Sequence, residues 1–465
     1  MGKLDGFFNP KSIAVIGASR DQSKIGHVVM RNMVEGEFKG KVFPVNPNTN
    51  KILGIKCYPS VTKIKERIDL AVISIPAALV PKALEECGRK GIKNVIIISG
   101  GFKEIGNVEL EKKLSEIAKK HKIRIIGPNC LGVFDPSSGV DTVFLPRYKL
   151  GRPKGGDIAF ITQSGAVGSV VIDWMARKGY KMSKFISYGN AIDVDEADII
   201  EYLINDNKTK VICAYFEGVK EGRKFFDITK KMVGKKPIIV LKGGTTSAGT
   251  KAVSSHTGSL AGSSEVYSAA FRQAGIIQAN DMEELFDYAR TLNSLPKPKC
   301  NRVQIITDGG GFGVLLTDNI IKDGLSLATM TDEKIEEMRK KMPPYVVLKN
   351  PIDLTGDADE ERYQYAITAA IEDPNVDIIG LIVLLQVPRL GGEIVDTIIN
   401  AFKTSSKPIF VISAGGDYTE VLKKTLEDIG IPTFSYPQSA SKAMRVLYEF
   451  GKEKNNKKCK KNKGK

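Results

Sequence analysis

One junction recurs three times along the chain, and it restricts the fold more than any other feature. Ser12-Ile13-Ala14-Val15-Ile16 runs into Gly17-Ala18-Ser19. Asp157-Ile158-Ala159-Phe160-Ile161-Thr162 runs into Gln163-Ser164-Gly165-Ala166, and Val303-Gln304-Ile305-Ile306-Thr307 into Asp308-Gly309-Gly310-Gly311. Each is a short β-branched run opening into small residues ahead of a helical pattern, which reads as a first parallel strand, a tight turn and a helix. Small residues let a ligand approach the backbone, and the helix start offers free N–H groups and a partial positive charge. Any doubly wound domain has one such turn. Three in one chain predict three α/β domains with Rossmann- or flavodoxin-like, doubly wound parallel sheets.

The spacing between junctions sets the boundaries. At 465 residues the chain has room for two to four domains of about 150 residues. Strand-like runs follow the first junction at 42–45, 70–75, 95–99 and 123–127, and residues 147–156 read as a linker. The second junction is followed by runs at 185–187, 211–216 and 237–241; Pro296-Lys297-Pro298-Lys299 then separates the third, with runs at 378–385 and 409–413. Helical patterns such as 108–120 and 332–341 alternate with them. The expected domains are 1–140, 151–297 and 300–452, with a lysine-rich tail at 453–465.

Composition removes several classes of function. The longest apolar runs, 94–99 and 378–385, fall far short of the ~20 residues that span a bilayer. The first residues lack a secretory apolar core, and Gly6 stands where a myristoylation motif needs Ser or Thr, so a cytoplasmic, membrane-free protein is expected. Six cysteines without a CxxC pair point to free thiols and to no metal site. Of the net charge of +16, the segment 452–465 carries +7, leaving a basic body suited to phosphate-bearing ligands. Aromatic content of 7% without basic-aromatic interleaving argues against nucleic acid.

Two stretches carry chemistry on their own. Ser254-Ser255-His256-Thr257-Gly258-Ser259 lies in a tract of small and hydroxyl residues and holds one of only three histidines. An imidazole is nucleophilic near neutral pH, so His256 suits acceptance of a phosphoryl group; a solvated loop histidine is the bland alternative. The first turn, with Gly17, Ala18 and Ser19, is not G-x-G-x-x-G, and the second strand ends on Val45-Asn46-Pro47-Asn48, without the acid that binds a ribose diol. Lys24 and Lys51 flank it instead, which favours a phosphorylated adenosine such as coenzyme A over NAD, although either lysine also fits an ordinary surface charge. His27 reads as structural.

Taken together, the stretches 12–19, 45–48, 99–104 (Ser-Gly-Gly-Phe-Lys-Glu), 127–132 (Gly-Pro-Asn-Cys-Leu-Gly), 163–168 and 254–259 resemble the α subunit of ADP-forming acetyl-CoA synthetase, in the NDP-forming acyl-CoA ligase family related to succinyl-CoA synthetase. The resemblance spans about residues 6 to 450, with the motifs in the family's order. It implies a ligase that converts acyl-CoA, phosphate and ADP to carboxylate, CoA and ATP through an acyl phosphate and a phosphohistidine at His256 on a swinging loop. It implies that Glu217 faces the histidine and fixes its tautomer. It also implies that Gln163, Ser164, Gly165 and Ala166, and Gly310 and Gly311 at the third junction, hold phosphate. CoA contacts are expected from Gly17, Ala18, Ser19, Lys24, Asn46, Pro47, Lys51, Ile75, Pro76, Ser99, Gly100 and Asn129. Residues 188–191 are expected to shape the acyl pocket, Cys130 to pack, and Asp353 to organise the third domain.

The chain has neither an ATP-grasp module nor a P-loop, since Gly243-Gly244-Thr245-Thr246 lacks the lysine. The nucleotide site, with ADP or ATP and magnesium, is therefore expected on a separate ATP-grasp β subunit in an α2β2 heterotetramer. The rival expectation is a CoA-binding regulatory module without ligase activity, which needs neither His256 nor Glu217.

Overall fold

The computed structural model describes residues 4–231, 233–257 and 263–455, without the side chains of 254–257 and 453–455. The His256 side chain, Gly258, Ser259 and nearly all of the lysine-rich tail thus lie outside the described residues. The chain divides into two compact units, one ending at Asn280 and the other starting at Asp281.

The first unit contains two sheets. Ser12–Ile16, the first junction's strand, is an inner strand, with Lys41–Val45 on one side and Leu70–Ile73, Asn94–Ile97 and Arg124–Ile126 on the other, all parallel. Every residue of Ser12–Ile16 and Leu70–Ile73 is buried, as apolar strands covered by helices on both faces should be. Pro44, which has no N–H to donate, is tolerated because Lys41–Val45 is an edge strand.

The second sheet is built around Gly155–Thr162, with Met182–Ser187 on one side and Val211–Phe216, Ile238–Lys242 and Ile277–Ala279 on the other, again parallel. Gly132–Asp135 then adds antiparallel to Met182–Ser187, and Val140–Asp141 turns back on it as a hairpin. The predicted linker at 147–156 is not loose. Arg147 and Arg152 both reach the buried Asp141, at 3.0 and 2.9 Å, and Gly155 and Gly156 already belong to the central strand. Residues of both sheets share one hydrophobic core, running from Phe7 and Phe8 through Ile161 and Ile186 to Phe271.

In the second unit Arg302–Thr307 pairs with Ser326–Leu327 and Ile378–Ile382, and the parallel sheet continues through Ile409–Ile412 to Thr433–Phe434. The helix Met282–Ser294 belongs to this unit, ahead of the predicted Pro296–Lys299 separator. Ion pairs hold it there, from Lys442 to Glu284 at 2.6 Å and from Arg290 to Glu427 at 2.8 Å.

The expected free thiols are found at Cys57, Cys87, Cys130 and Cys213, all buried. Cys300, only half-buried just ahead of Arg302–Thr307, is instead disulfide-bonded. No helix among the described residues is long and apolar enough to cross a membrane.

Candidate active site

The carboxyl ends of the first sheet's strands form the first wall of the site. Gly17 takes a positive φ of 95°, and a Cβ there would lie 2.6 Å from Ile75 Cγ2, so the turn after the first strand demands glycine. The Asn46 amide donates to Ala18 O at 2.7 Å and its oxygen accepts from Asn48 N at 2.8 Å, so the turn at 17–19 and the turn at 46–48 are fastened together. Ser99 Oγ donates to Ile75 O at 2.6 Å and accepts from Ile75 N at 3.1 Å, joining the ends of the next two strands. Gly17, Ala18, Asn46, Ile75 and Ser99 are thereby brought to one edge. Pro47 and Pro76 lie exposed along it. Lys24 and Lys51 are exposed, Lys24 ahead of the helix Ile25–Val34 and Lys51 on the Lys51–Ile52 arm of a small hairpin. His27 is structural: it is buried, and its Nδ1 lies 2.9 Å from Ser19 O.

A cavity of about 440 Å³ opens where this edge meets the second sheet. Ser99, Gly100 and Asn129 line it from the first sheet, and Gln163, Ser164, Gly165, Ala166 and Glu217 from the second. Asn129 takes a left-handed φ of 58°, tolerable for asparagine, and its N–H donates to Ser99 O at 2.9 Å. Lys103, Glu104 and Asn190 also line the cavity, and sequence reasoning had assigned none of them a site role individually. The signal was present, because Lys103 and Glu104 end the 99–104 motif and Asn190 lies within 188–191.

Glu104 is firmly placed. It accepts from Gly101 N at 2.5 Å and from Asn190 Nδ2 at 2.7 Å, and these bonds hold its carboxyl below the usual range despite the opposing effect of burial. The 188–194 loop runs back along the first sheet, with Asn190 N donating to Pro128 O at 2.9 Å and Ile192 N to Gly127 O at 3.2 Å. Ile25, Leu131 and Phe144 supply the apolar part of the lining.

The second junction points a helix at this cavity. Ser164 caps Gly165–Lys178, its Oγ accepting from Val167 N, and Gly165 and Ala166 head the first turn. Their N–H groups and the helix's positive end favour an oxyanion. A Cβ on Gly165 would approach only Leu131, at 3.7 Å, so the approach to the backbone is open.

Glu217 follows the strand Val211–Phe216 and is only 6% exposed. Its turn is held by side chains from other elements. Gln163 Oε1 accepts from Glu217 N at 2.5 Å and from Gly218 N at 3.0 Å. Tyr267 Oη accepts from Val219 N at 3.0 Å, and Glu196 Oε1 from Lys220 N at 2.7 Å. Gln163 therefore spends its carbonyl oxygen on Glu217's backbone. The helix Ser247–Thr257 includes the backbone of His256, and Val253 is its last described side chain.

In the second unit Gly310 and Gly311 head the helix Gly310–Lys322. A Cβ on Gly310 would lie 2.7 Å from Asp353 Oδ2, so a side chain there would displace the Asp353 carboxylate. Asp308, 4% exposed, accepts from Leu384 N at 3.0 and 3.1 Å, and burial raises its carboxyl to about 6. Two carboxyl groups thus stand beside this helix start. Asp353 accepts from Thr355 N at 2.9 Å and pairs its strand with Arg302–Thr307, in keeping with an organising role.

Three family profiles match the chain: a CoA binding domain over 11–136, a succinyl-CoA ligase like flavodoxin domain over 155–292, and a Ligase-CoA domain over 303–453. The alpha subunit of acetate–CoA ligase (ADP-forming) II of Pyrococcus furiosus is 43% identical over 97% of this chain and 98% of its own length. An acetate–CoA ligase (ADP-forming) of Methanocaldococcus jannaschii is 42% identical over 95% of this chain, which spans 62% of that longer protein. Among solved structures, an acetyl-coenzyme A synthetase of Ca. Korarchaeum cryptofilum in complex with phosphate and ADP superposes with a TM-score of 0.92. It is 37% identical, over 98% of this chain and 99% of that one.

Proposed function

The chain belongs to the ADP-forming acetate–CoA ligase family, and we propose that it is the α subunit that carries the thioester and phosphohistidine chemistry. The observation that carries this reading is the cavity of about 440 Å³, where a helix N-terminus, a lysine, two asparagines and the buried Glu217 converge. The reaction is acyl-CoA, phosphate and ADP to carboxylate, CoA and ATP, with the thioester at the first sheet's edge, a reading that the CoA binding profile over 11–136 supports.

Phosphate sits against the N–H groups of Gly165 and Ala166, with Lys103 as the nearby cation. One of its oxygens attacks the thioester carbonyl; the new C–O bond replaces the C–S bond, and CoA leaves as the thiol with a proton from the medium. Asn129 is placed to donate to the acyl or phosphate oxygens, while both N–H groups of the Asn190 amide are spent on Glu104 and Glu111. A nitrogen of His256 then attacks phosphorus, the P–O bond to the acyl group breaks, and the carboxylate departs. Glu217 accepts a hydrogen bond from the other ring nitrogen, fixing the tautomer and stabilising the cation formed on transfer. The helix start at Gly310 and Gly311 is a second place for the phosphoryl group.

The nucleotide with its magnesium is assigned to a separate ATP-grasp β subunit in an α2β2 assembly. Support comes from relatives named as alpha subunits and from the longer M. jannaschii chain, of which this one spans 62%. A regulatory CoA-binding module has no use for the buried Glu217 or the four-donor turn that holds it. The full chain incubated with acetyl-CoA and labelled phosphate is expected to take up acid-labile, base-stable label, and His256→Asn to take up none. A variant that labels like wild type would refute the assignment.

A further inference from the structure

The turn bearing Glu217 is tied to both flanks of the segment that contains residue 256, through two residues that the reaction scheme does not use. Lys242 ends the strand Ile238–Lys242, directly beside Phe216 in the parallel register, and is 5% exposed. Its Nζ donates to Glu217 O at 2.9 Å and to Gly243 O, and lies 4.7 Å from the centre of the Tyr267 ring. The three N–H donors of an ammonium are thus directed to two carbonyls and a π face. Burial lowers the basicity of Lys242 and Glu217 opposes that effect, so the amine feels the carboxylate.

Lys242 leads straight into the helix Ser247–Thr257 through Gly243 and Gly244. Gly244 has a φ of 70°, a Cβ there would fall 2.8 Å from Val253 Cγ2, and Thr250 Oγ1 donates to its carbonyl at 3.1 Å. Tyr267 lies on the helix Ser264–Gln273, on the other flank, and its hydroxyl accepts from Val219 N at 3.0 Å. One lysine, on the strand before residues 254–262, and one tyrosine, on the helix after them, therefore touch each other and the Glu217 turn.

We propose that Lys242 and Tyr267 are positioning residues that register Glu217 against the histidine-bearing segment. The inference rests on the phosphohistidine reading. Neither residue touches substrate; they act by fixing where the Glu217 carboxylate points and by supplying a buried positive charge beneath it.

The test uses the full chain, acetyl-CoA and labelled phosphate under single-turnover conditions, with thermal unfolding recorded for each protein. Lys242→Met is expected to slow labelling about tenfold or more, with half-saturating acetyl-CoA changed less than about twofold. Tyr267→Phe keeps the ring under the ammonium and removes only the acceptor for Val219 N; about threefold slower labelling at unchanged half-saturation is expected. If Lys242→Met does not fold, Tyr267→Phe decides alone. Wild-type labelling rates, or a loss matched by weaker acetyl-CoA saturation or by a smaller folded fraction, overturn the proposal. A wild-type chain that takes no label, or a His256→Asn chain that does, overturns the phosphohistidine reading instead.

Discussion

Gln163 Oε1 accepts the backbone N–H of Glu217 at 2.5 Å, so the residue just past the central strand of the second sheet fixes the acid just past its neighbour. The same oxygen takes Gly218 N at 3.0 Å. Gln163→Leu keeps the bulk and removes the acceptor, leaving two largely buried donors unmatched at about 1–3 kcal/mol each. Single-turnover phosphoenzyme formation is expected to fall about tenfold or more, read by label uptake, with a lowered unfolding midpoint. Unchanged label uptake would show that the turn holds itself.

Glu217→Gln preserves size and burial but loses the charge. Labelling is expected to slow on the order of a hundredfold while CoA binding by calorimetry stays at wild-type strength. Equal rates in both proteins would remove Glu217 from the chemistry.

Lys103 lines the cavity and is itself exposed, so its loss should cost little stability. Lys103→Ala is expected to raise the half-saturating phosphate concentration for label uptake about tenfold, the scale of one charge-assisted contact, with the rate at saturation within about threefold. Single-turnover label uptake with phosphate varied against saturating acetyl-CoA decides it; an effect on acetyl-CoA alone counts against a phosphate role.

Asn46 fastens two turns of the first sheet without reaching the phosphate end of the cavity. Asn46→Ala is expected to weaken CoA binding about fivefold, while labelling from acetyl phosphate, which needs no CoA, keeps its rate. Equal CoA affinity by calorimetry would place the ligand elsewhere.

Glu196 is fully buried at the start of the helix Glu196–Asn205, and burial raises its carboxyl to about 7. A carboxyl whose folded value lies above its unfolded one binds more protons in the native state, so its contribution to stability declines as pH rises. The fall runs from about pH 4.5, the unfolded value, to about pH 7, each pH unit of difference being worth about 1.4 kcal/mol. Glu196→Gln should therefore narrow the difference in unfolding midpoint between about pH 5 and about pH 7.5. An unaltered difference means that other groups carry the pH dependence.

The strands were legible because buried parallel strands are short, nearly continuous apolar runs. The reading of 42–45, 70–75 and 211–216 lies within a residue or two of Lys41–Val45, Leu70–Ile73 and Val211–Phe216. The hairpin of Gly132–Asp135 and Val140–Asp141 was not legible: its strands are two to four residues long, and they join a sheet whose other strands come later in the chain. Glu217 and Gln163 were picked out at their strand ends, but their hydrogen bond joins residues 54 positions apart and no local pattern encodes it.

Local sequence determined what depends on near neighbours. The three strand ends with their turns, the glycine at position 17 and the small residues that head the second and third helices follow from propensity and sterics within a few residues, whereas the first helix starts only at Ile25, eight residues past Gly17. The tertiary fold decided what depends on convergence. It brought Lys103, Glu104 and Asn190 into the cavity with Gln163 and Glu217, and it set Lys242 and Tyr267 beneath the Glu217 turn. Those relations arise only when separate strands are laid side by side in register, because hydrogen bonds and buried charges act over a few ångströms of space whatever the separation along the chain.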